Sequence, residues 1–136
     1  MLPPRALISA VVVAVLGGCA TVGTPRCGPG EQAVIAELVY FGANKPSGVV
    51  SPEEWANFLR EVVTPRFPAG LSVWQASGQW LGADGALTKE NSFIVSLIHP
   101  EEPAVEQAVQ AVISEYKVRH QQEAVLRVKS VACMSL

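Results

Sequence analysis

The chain has 136 residues, the length of one domain, and two domains are not expected. Hydrophobic residues make up 49% of the sequence and charged residues 16%, which excludes an intrinsically disordered chain. The 10 Lys and Arg residues against 12 Asp and Glu residues give a formal net charge of -2. Because no broad basic surface can arise from this balance, we expect no nucleic-acid partner.

The N-terminus carries a secretory signal pattern. Arg5 precedes the uncharged stretch of residues 6–18, which as a helix would span roughly 20 Å and fall short of the ~30 Å hydrocarbon core of a bilayer. Leu16-Gly17-Gly18-Cys19 resembles the bacterial lipobox, whose cysteine receives a diacylglycerol before cleavage. We therefore expect residues 1–18 to be a lipoprotein signal peptide and Cys19 to be the lipidation site. An ordinary signal peptide with a coincidental cysteine is the alternative.

Export and lipidation would determine the cellular compartment of the residues after Cys19. The resemblance implies a protein tied to the bacterial membrane by its lipid, on the outer membrane facing the periplasm if the host is Gram-negative. Residues 19–30, rich in Gly and Pro, are expected to be a lipidated tether. With Cys19 modified, Cys27 and Cys133 remain in an oxidising compartment, where we expect them to form a disulfide. Two independent thiols are the alternative.

Residues 31–136 are expected to form the folded domain, beginning with a strand and a helix. Residues 33–42 are apolar apart from Glu37 and rich in β-branched and aromatic types, which predicts the first strand. Ser51-Pro52-Glu53-Glu54 is a capping box with proline at the first helical position, and apolar residues come after it at helical spacing. The first helix should end before Pro65.

The second half of the domain predicts two further strands, a helix and a last strand. Residues 71–81 and 93–99 are read as the second and third strands, separated by turn residues. After Pro100, five apolar residues recur on one helical face: Val105, Val109, Val112, Ile113 and Tyr116. Residues 124–132 alternate apolar and charged side chains and predict the last strand.

This order of elements is typical of an α+β, ferredoxin-like βαββαβ fold, a four-stranded antiparallel sheet with two helices on one face. The last strand should lie beside the first, which would bring the two unmodified cysteines to one edge of the molecule. Glu37, Arg127 and Lys129 are charges in otherwise apolar strands and suggest that their face is not fully buried. The alternation along residues 71–81 leaves open which side carries Trp74 and Trp80.

Three short segments carry a family resemblance: Thr64-Pro65-Arg66-Phe67-Pro68, Gly78-Gln79-Trp80 and Glu123-Ala124-Val125-Leu126-Arg127. Within a similarity that covers about residues 38 to 133, they resemble the family catalogued as domain of unknown function 3574, which consists of small exported bacterial proteins. The resemblance implies no activity, substrate or cofactor.

The residues themselves give little support for metal or nucleotide chemistry. The only histidines, His99 and His120, fall on different elements, and the sequence contains no P-loop or dinucleotide-binding motif. We therefore expect no metal and no cofactor. A sheet covered on one side leaves a surface that needs an explanation. It could be buried by self-association, or it could bind a small ligand or peptide through four polar candidates: Arg66, Gln79, Glu90 and Arg127.

The sequence thus favours a lipid-anchored binding or assembly module with no assignable catalytic activity, whose partner is a second copy or another envelope protein. The alternative is an enzyme that acts on a small molecule with Glu90 or His99 as the acid/base group. That alternative requires Glu90, His99 or Arg127 to converge around a pocket.

Overall fold

The computed structural model describes residues 26–136. The expected signal peptide and the lipidation site Cys19 lie outside the described residues. The described part is a four-stranded antiparallel sheet in the order β4-β5-β1-β6, with two helices and a short hairpin. The elements are β1 (Gln32–Gly42), β2 (Asn44–Lys45), β3 (Gly48–Val49), α1 (Pro52–Phe58), β4 (Ser72–Leu81), β5 (Leu87–His99), α2 (Pro103–His120) and β6 (Leu126–Met134). This arrangement confirms the predicted α+β ferredoxin-like fold.

The first helix starts where the capping box predicts. The Ser51 hydroxyl accepts a hydrogen bond from the Glu54 amide at 3.1 Å, and the Glu54 carboxylate accepts one from the Ser51 amide at 2.8 Å. A hydrogen bond from Lys45 to the Glu54 carboxylate lowers the pKa of Glu54 to about 2. After Phe58 the chain continues as a π-helical turn over Leu59–Val63, so the helix widens before it ends ahead of Pro65.

Aromatic side chains fill the space between the helices and the sheet. Phe41 from β1 lies 5.5 Å from Trp55 and 4.7 Å from Tyr116 between ring centroids, which joins both helices to the central strand. The Tyr116 hydroxyl donates to the Gly42 carbonyl at 2.8 Å, which gives the buried phenol a partner. Burial raises the pKa of Tyr116 above its ordinary value.

The strand register assigns each side chain to one side of the sheet. Val39 lies opposite both Val95 and Arg127, so these three side chains share the side that the helices cover. Glu37 and Lys129 also lie on this covered side, and Glu37 is only 1% exposed. The expectation that these charges mark an incompletely buried face was therefore wrong for Glu37 and Arg127, whose side chains are 0% and 13% exposed, and holds only at Lys129, whose side chain is 48% exposed. Glu37 is paired with Arg127 in the interior, whereas Lys129 pairs with Glu106 where both side chains are partly exposed.

Two details of the strands differ from the sequence prediction. The third strand begins at Leu87, six residues before its predicted start, because the hairpin pairing with β4 continues to the turn. The strands β2 and β3, of two residues each, form a short hairpin where the sequence indicated only a loop. Such short strands cannot show the alternation of apolar and polar residues that predicts a strand. Neither difference changes the topology.

The two cysteines of the domain lie at one edge, as the topology requires. Cys27 and Cys133 form a disulfide pair with a Cα–Cα distance of 5.4 Å, and Cys133 sits opposite Ala33 on β1. The bridge links residues separated by 106 positions and so encloses nearly the whole domain. Within residues 26–136, none of the helices combines the length and apolar character needed to cross a bilayer.

Candidate functional site

A buried ion pair connects the central strand to the last strand. The Glu37 carboxylate accepts two hydrogen bonds from the Arg127 guanidinium, from Nε at 2.9 Å and from Nη2. The side chain of Glu37 is fully buried, and that of Arg127 is 13% exposed. An unpaired carboxylate buried this deeply would destabilise the folded protein. The Arg127 guanidinium offsets this cost by neutralising and hydrogen-bonding the buried Glu37 carboxylate.

Arg127 is shared with a second carboxylate at the start of α2. Its Nη1 and Nη2 atoms donate to Glu106 at 2.5 and 2.7 Å, and Lys129 adds a contact to Glu106 at 3.2 Å. These hydrogen bonds, above all those from Arg127, hold the pKa of Glu106 well below its usual range. Glu106 and Glu37 in turn raise the pKa of Arg127 above its ordinary value. The result is a network that ties β1, β6 and α2 together.

His99 completes this network, which we call the ionic cluster: Glu37, His99, Glu106, Arg127 and Lys129. The His99 Nε2 atom lies 3.2 Å from a Glu37 oxygen but is not aligned for a hydrogen bond, while Nδ1 lies 2.7 Å from the Pro100 carbonyl. Beside the ring is a cavity of about 420 Å³ lined by Ile35, His99, Glu101, Glu102, Pro103, Glu106 and Lys129. An imidazole between a carboxylate and an open cavity is an arrangement that can move protons.

The structure separates the four residues proposed as polar ligand contacts. Arg127 is held in the ionic cluster, whereas Arg66 donates to the Val62 carbonyl at 2.7 Å and closes the end of the first helical segment. Gln79 lies on the outer strand β4 opposite Lys89. Glu90 accepts a hydrogen bond from the Asn44 amide at 3.2 Å and so positions the chain after β1. These residues therefore do not line one common pocket.

Two of the three residues named for an acid/base site lie close together, and the third does not. His99 and Arg127 meet at the Glu37 carboxylate, while Glu90 lies near the opposite end of β1, next to Gly42. A side chain at Gly42 would place its Cβ 2.7 Å from a Glu90 oxygen, so the glycine gives Glu90 room to reach Asn44. Of the two proposed acid/base groups, only His99 has a cavity and a carboxylate beside it. The sequence pattern marks Glu37 as a charge in an apolar strand and does not identify its role.

The side of the sheet away from the helices forms a second candidate site. The register places both Trp74 and Trp80 on this side, 43% and 49% exposed, which settles the question left open by the sequence. Three further large apolar side chains are exposed there: Ile98, Leu126 and Val128. We call this surface, defined by Trp74, Trp80, Ile98, Leu126 and Val128, the uncovered sheet face.

The uncovered sheet face is continuous across all four strands. Trp74, Ile94, Tyr40 and Leu126 are register partners and form one apolar row from edge to edge. Within the four described strands, Glu90 is the only charged side chain that strand alternation assigns to this side, and it lies at one end. Trp74 and Leu126 at the two edges are 43% and 61% exposed while Ile94 between them is 5% exposed, and exposed apolar side chains grouped in this way are a feature of many interaction surfaces.

The cysteine pair has an acidic neighbour. Cys27, Glu31 and Cys133 place potential metal-ligand atoms within 4.8 Å of one another. Both sulfur atoms are already joined in the disulfide pair, so they are not thiolate ligands. This group therefore serves to close the domain.

Comparison with known proteins identifies relatives by sequence and by fold. The family described as "Protein of unknown function (DUF3574)" matches residues 36–136. A phage SAM lyase in complex with S-methyl-5'-thioadenosine is similar in structure, with TM-score 0.54 and 19% identity, covering 82% of this chain and 95% of that chain. Its apo state has TM-score 0.54 and 18% identity, covering 82% and 94%.

A further structural neighbour is CutA from Synechococcus elongatus PCC7942. It has TM-score 0.50 and 12% identity, covering 76% of this chain and 80% of that chain. No curated protein matches the chain. At these identities the structural neighbours show that the fold is shared, and their activities remain properties of those proteins.

Proposed function

Since the chain belongs to the DUF3574 family, whose description names no activity, we propose that it is a lipid-anchored assembly module of the bacterial envelope. The single observation that carries this proposal is the uncovered sheet face. Its apolar row crosses the whole sheet from Trp74 to Leu126, and a second half-exposed tryptophan, Trp80, lies on the same strand as Trp74. A small-molecule pocket would be concave and enclosed, whereas this surface is broad and suits another protein surface.

A second copy of the same chain is the partner that fits this face. In a two-fold interface each subunit contributes the same patch, so the patch must be compatible with itself. Apolar and hydroxyl side chains meet this condition, while a charged partner would find only Glu90 to pair with on the described strands. Four strands spaced ~4.8 Å apart and ~9 residues long present roughly 600 Å² of sheet, comparable with the ~800 Å² per partner of a standard interface.

A charge placed on the β6 side of the face tests this proposal. Val128 is 50% exposed, so the single chain should tolerate Val128→Glu, but in a two-fold interface the new carboxylates would be buried without partners. We expect the variant to weaken self-association at least ~100-fold, measured by sedimentation of the full chain in detergent. The matched control is Val118→Glu on α2, at a position 79% exposed, which should leave association unchanged. Equal association of both variants would contradict the proposal.

The lipid anchor is supported by the pattern Leu16-Gly17-Gly18-Cys19 and by the disulfide pair, which suits an oxidising compartment. Replacing Cys19 with serine removes the thiol that would carry the lipid. We expect the Cys19→Ser chain to move from the membrane fraction to the soluble fraction. If it still needs detergent for extraction, the lipobox interpretation fails.

A second candidate function is acid/base catalysis at the ionic cluster. The observation that favours it is His99, placed between the Glu37 carboxylate and a cavity of about 420 Å³. One fold neighbour is a lyase, and its bound S-methyl-5'-thioadenosine is a practical first probe. Saturable binding of this probe that His99→Gln abolishes would support a small-molecule site, and absence of binding would argue against this ligand.

A further inference from the structure

The outer strand β4 lacks the charges and prolines that usually protect the edge of a sheet. It is the first strand in the order β4-β5-β1-β6, so one of its edges has no partner strand among the described residues. Its ten residues include no charge and no proline. The opposite edge strand, β6, carries Arg127 and Lys129. Because exposed, uncharged edges readily pair with other strands, natural proteins normally block them, and within residues 26–136 β4 carries neither a charge nor a proline that would do so.

The sequence of β4 is symmetric about its centre. Residues 73–81 read VWQASGQWL, and positions at equal distance on either side of Ser77 hold residues of the same kind. The matched pairs are Ala76 with Gly78, Gln75 with Gln79, Trp74 with Trp80, and Val73 with Leu81. None of the pairs combines an apolar with an amide side chain.

This symmetry has a direct consequence in an antiparallel pair of identical strands. When a two-fold axis passes through Ser77, each residue faces its mirror position in the other copy, so like meets like at every step. Trp74 would lie opposite Trp80 on the uncovered side, and Gln75 opposite Gln79 on the other side. Aromatic pairs and amide pairs at directly opposed positions stabilise neighbouring strands. A shift of register by one residue in either direction would place a tryptophan opposite a glutamine.

We propose that β4 pairs with β4 of a second copy, antiparallel and centred on Ser77, to form a continuous eight-stranded sheet. This inference goes beyond the proposed contact through the uncovered sheet face: it adds a second interface at the free edge of β4 and leaves that face available for burial against a further copy. Because the axis is normal to the sheet, both uncovered sheet faces lie on the same side of the pair and join into one surface. Trp74 of each copy then lies beside Trp80 of the other, in two pairs about 20 Å apart on either side of the axis.

A cysteine on the proposed axis tests the register. Cα atoms of directly opposed residues in antiparallel strands are ~4.5–5.5 Å apart, within the ~4.4–6.8 Å range of disulfides. We expect the full chain with Ser77→Cys to form a covalent dimer under mild oxidation, seen on a non-reducing gel and dissolved by reductant. The wild-type chain, oxidised in the same way, is the control for dimers linked through the cysteines already present.

The control lies on the same strand and the same side. Two copies of position 75 would be about 14 Å apart across the axis, so Gln75→Cys alone should give at least ~10-fold less dimer than Ser77→Cys. The double variant Gln75→Cys with Gln79→Cys restores the opposed pair and should link again. It also guards against a folding defect caused by the Ser77 change.

The outcomes separate this inference from the proposed function. If neither Ser77→Cys nor the double variant links, or if Gln75→Cys links as readily as Ser77→Cys, the strand pairing is overturned. If the wild-type chain nevertheless sediments as an oligomer in that case, self-association stands without this register. A wild-type chain that sediments as a monomer at all concentrations overturns both.

Discussion

Replacing Arg127 with methionine is expected to lower the free energy of unfolding by about 3–5 kcal/mol, because it leaves the Glu37 carboxylate buried without its bidentate partner. The His99 Nε2 atom would remain 3.2 Å from a Glu37 oxygen, but it is not aligned for a hydrogen bond. For a domain of this length the loss corresponds to a melting temperature lower by roughly 15–25 °C. Thermal and urea unfolding followed by circular dichroism measure both quantities.

Two controls separate the buried pair from ordinary surface charge. Lys129→Met removes a half-exposed contact to Glu106 and should cost less than about 1 kcal/mol. The double variant Glu37→Met with Arg127→Met removes both charges and should recover most of the stability lost in Arg127→Met. If the double variant is as unstable as the single one, the cost comes from lost packing and the buried charge is not its cause.

Loss of the disulfide pair should have an effect of similar size. The bridge spans 106 positions, and in the chain-entropy model a loop of that length contributes roughly 4–5 kcal/mol by restricting the unfolded chain. We expect Cys27→Ser with Cys133→Ser, or reduction of the wild-type chain, to lower the urea midpoint by about 2 M. Intact mass of the wild-type protein measured before and after reduction should differ by two hydrogens. An unchanged midpoint after verified reduction would show that the bridge does not stabilise the domain.

Local signals predicted most of the fold. The capping box at Ser51 and the β-branched run of β1 are decided by neighbouring residues, and both elements form where these patterns indicate. The position of β6 beside β1 followed from the handedness of the crossovers, and the cysteine pair agrees with it. Element ends were less predictable, because pairing between β4 and β5 extends a strand beyond its apolar run.

The ionic cluster could not be recognised from the sequence in the same way. Glu37 and Arg127 are 90 positions apart, and Glu106 reaches Arg127 from another element. A charge in an apolar strand has two explanations, an open face or a buried partner, and single-strand patterns do not distinguish them. The signal that could have done so was the pairing of β1 with β6, which places Glu37 directly opposite Lys129.

The side of β4 that carries the tryptophans was undecided for a related reason. Trp74 alternates with Gln75 and Trp80 with Gln79, so either phase would place some polar and some apolar groups toward the helices. The register with β5 decides it, because Val95 faces the helices and lies opposite Val73, which leaves Trp74 on the other side. The consequence is an exposed apolar surface that composition alone did not locate.

Hydroxyl-radical footprinting of the tryptophans in isolated membranes, read by mass spectrometry, tests most directly whether that surface is occupied. Trp55, 7% exposed, provides the buried reference within the same chain, and the urea-unfolded protein provides the exposed one. If copies of the chain bury their sheets against one another, Trp74 and Trp80 should be oxidised nearly as slowly as Trp55. Their rates should rise in Val128→Glu. Rapid oxidation of both in the wild-type protein, close to the unfolded reference, would contradict an assembly built on this face.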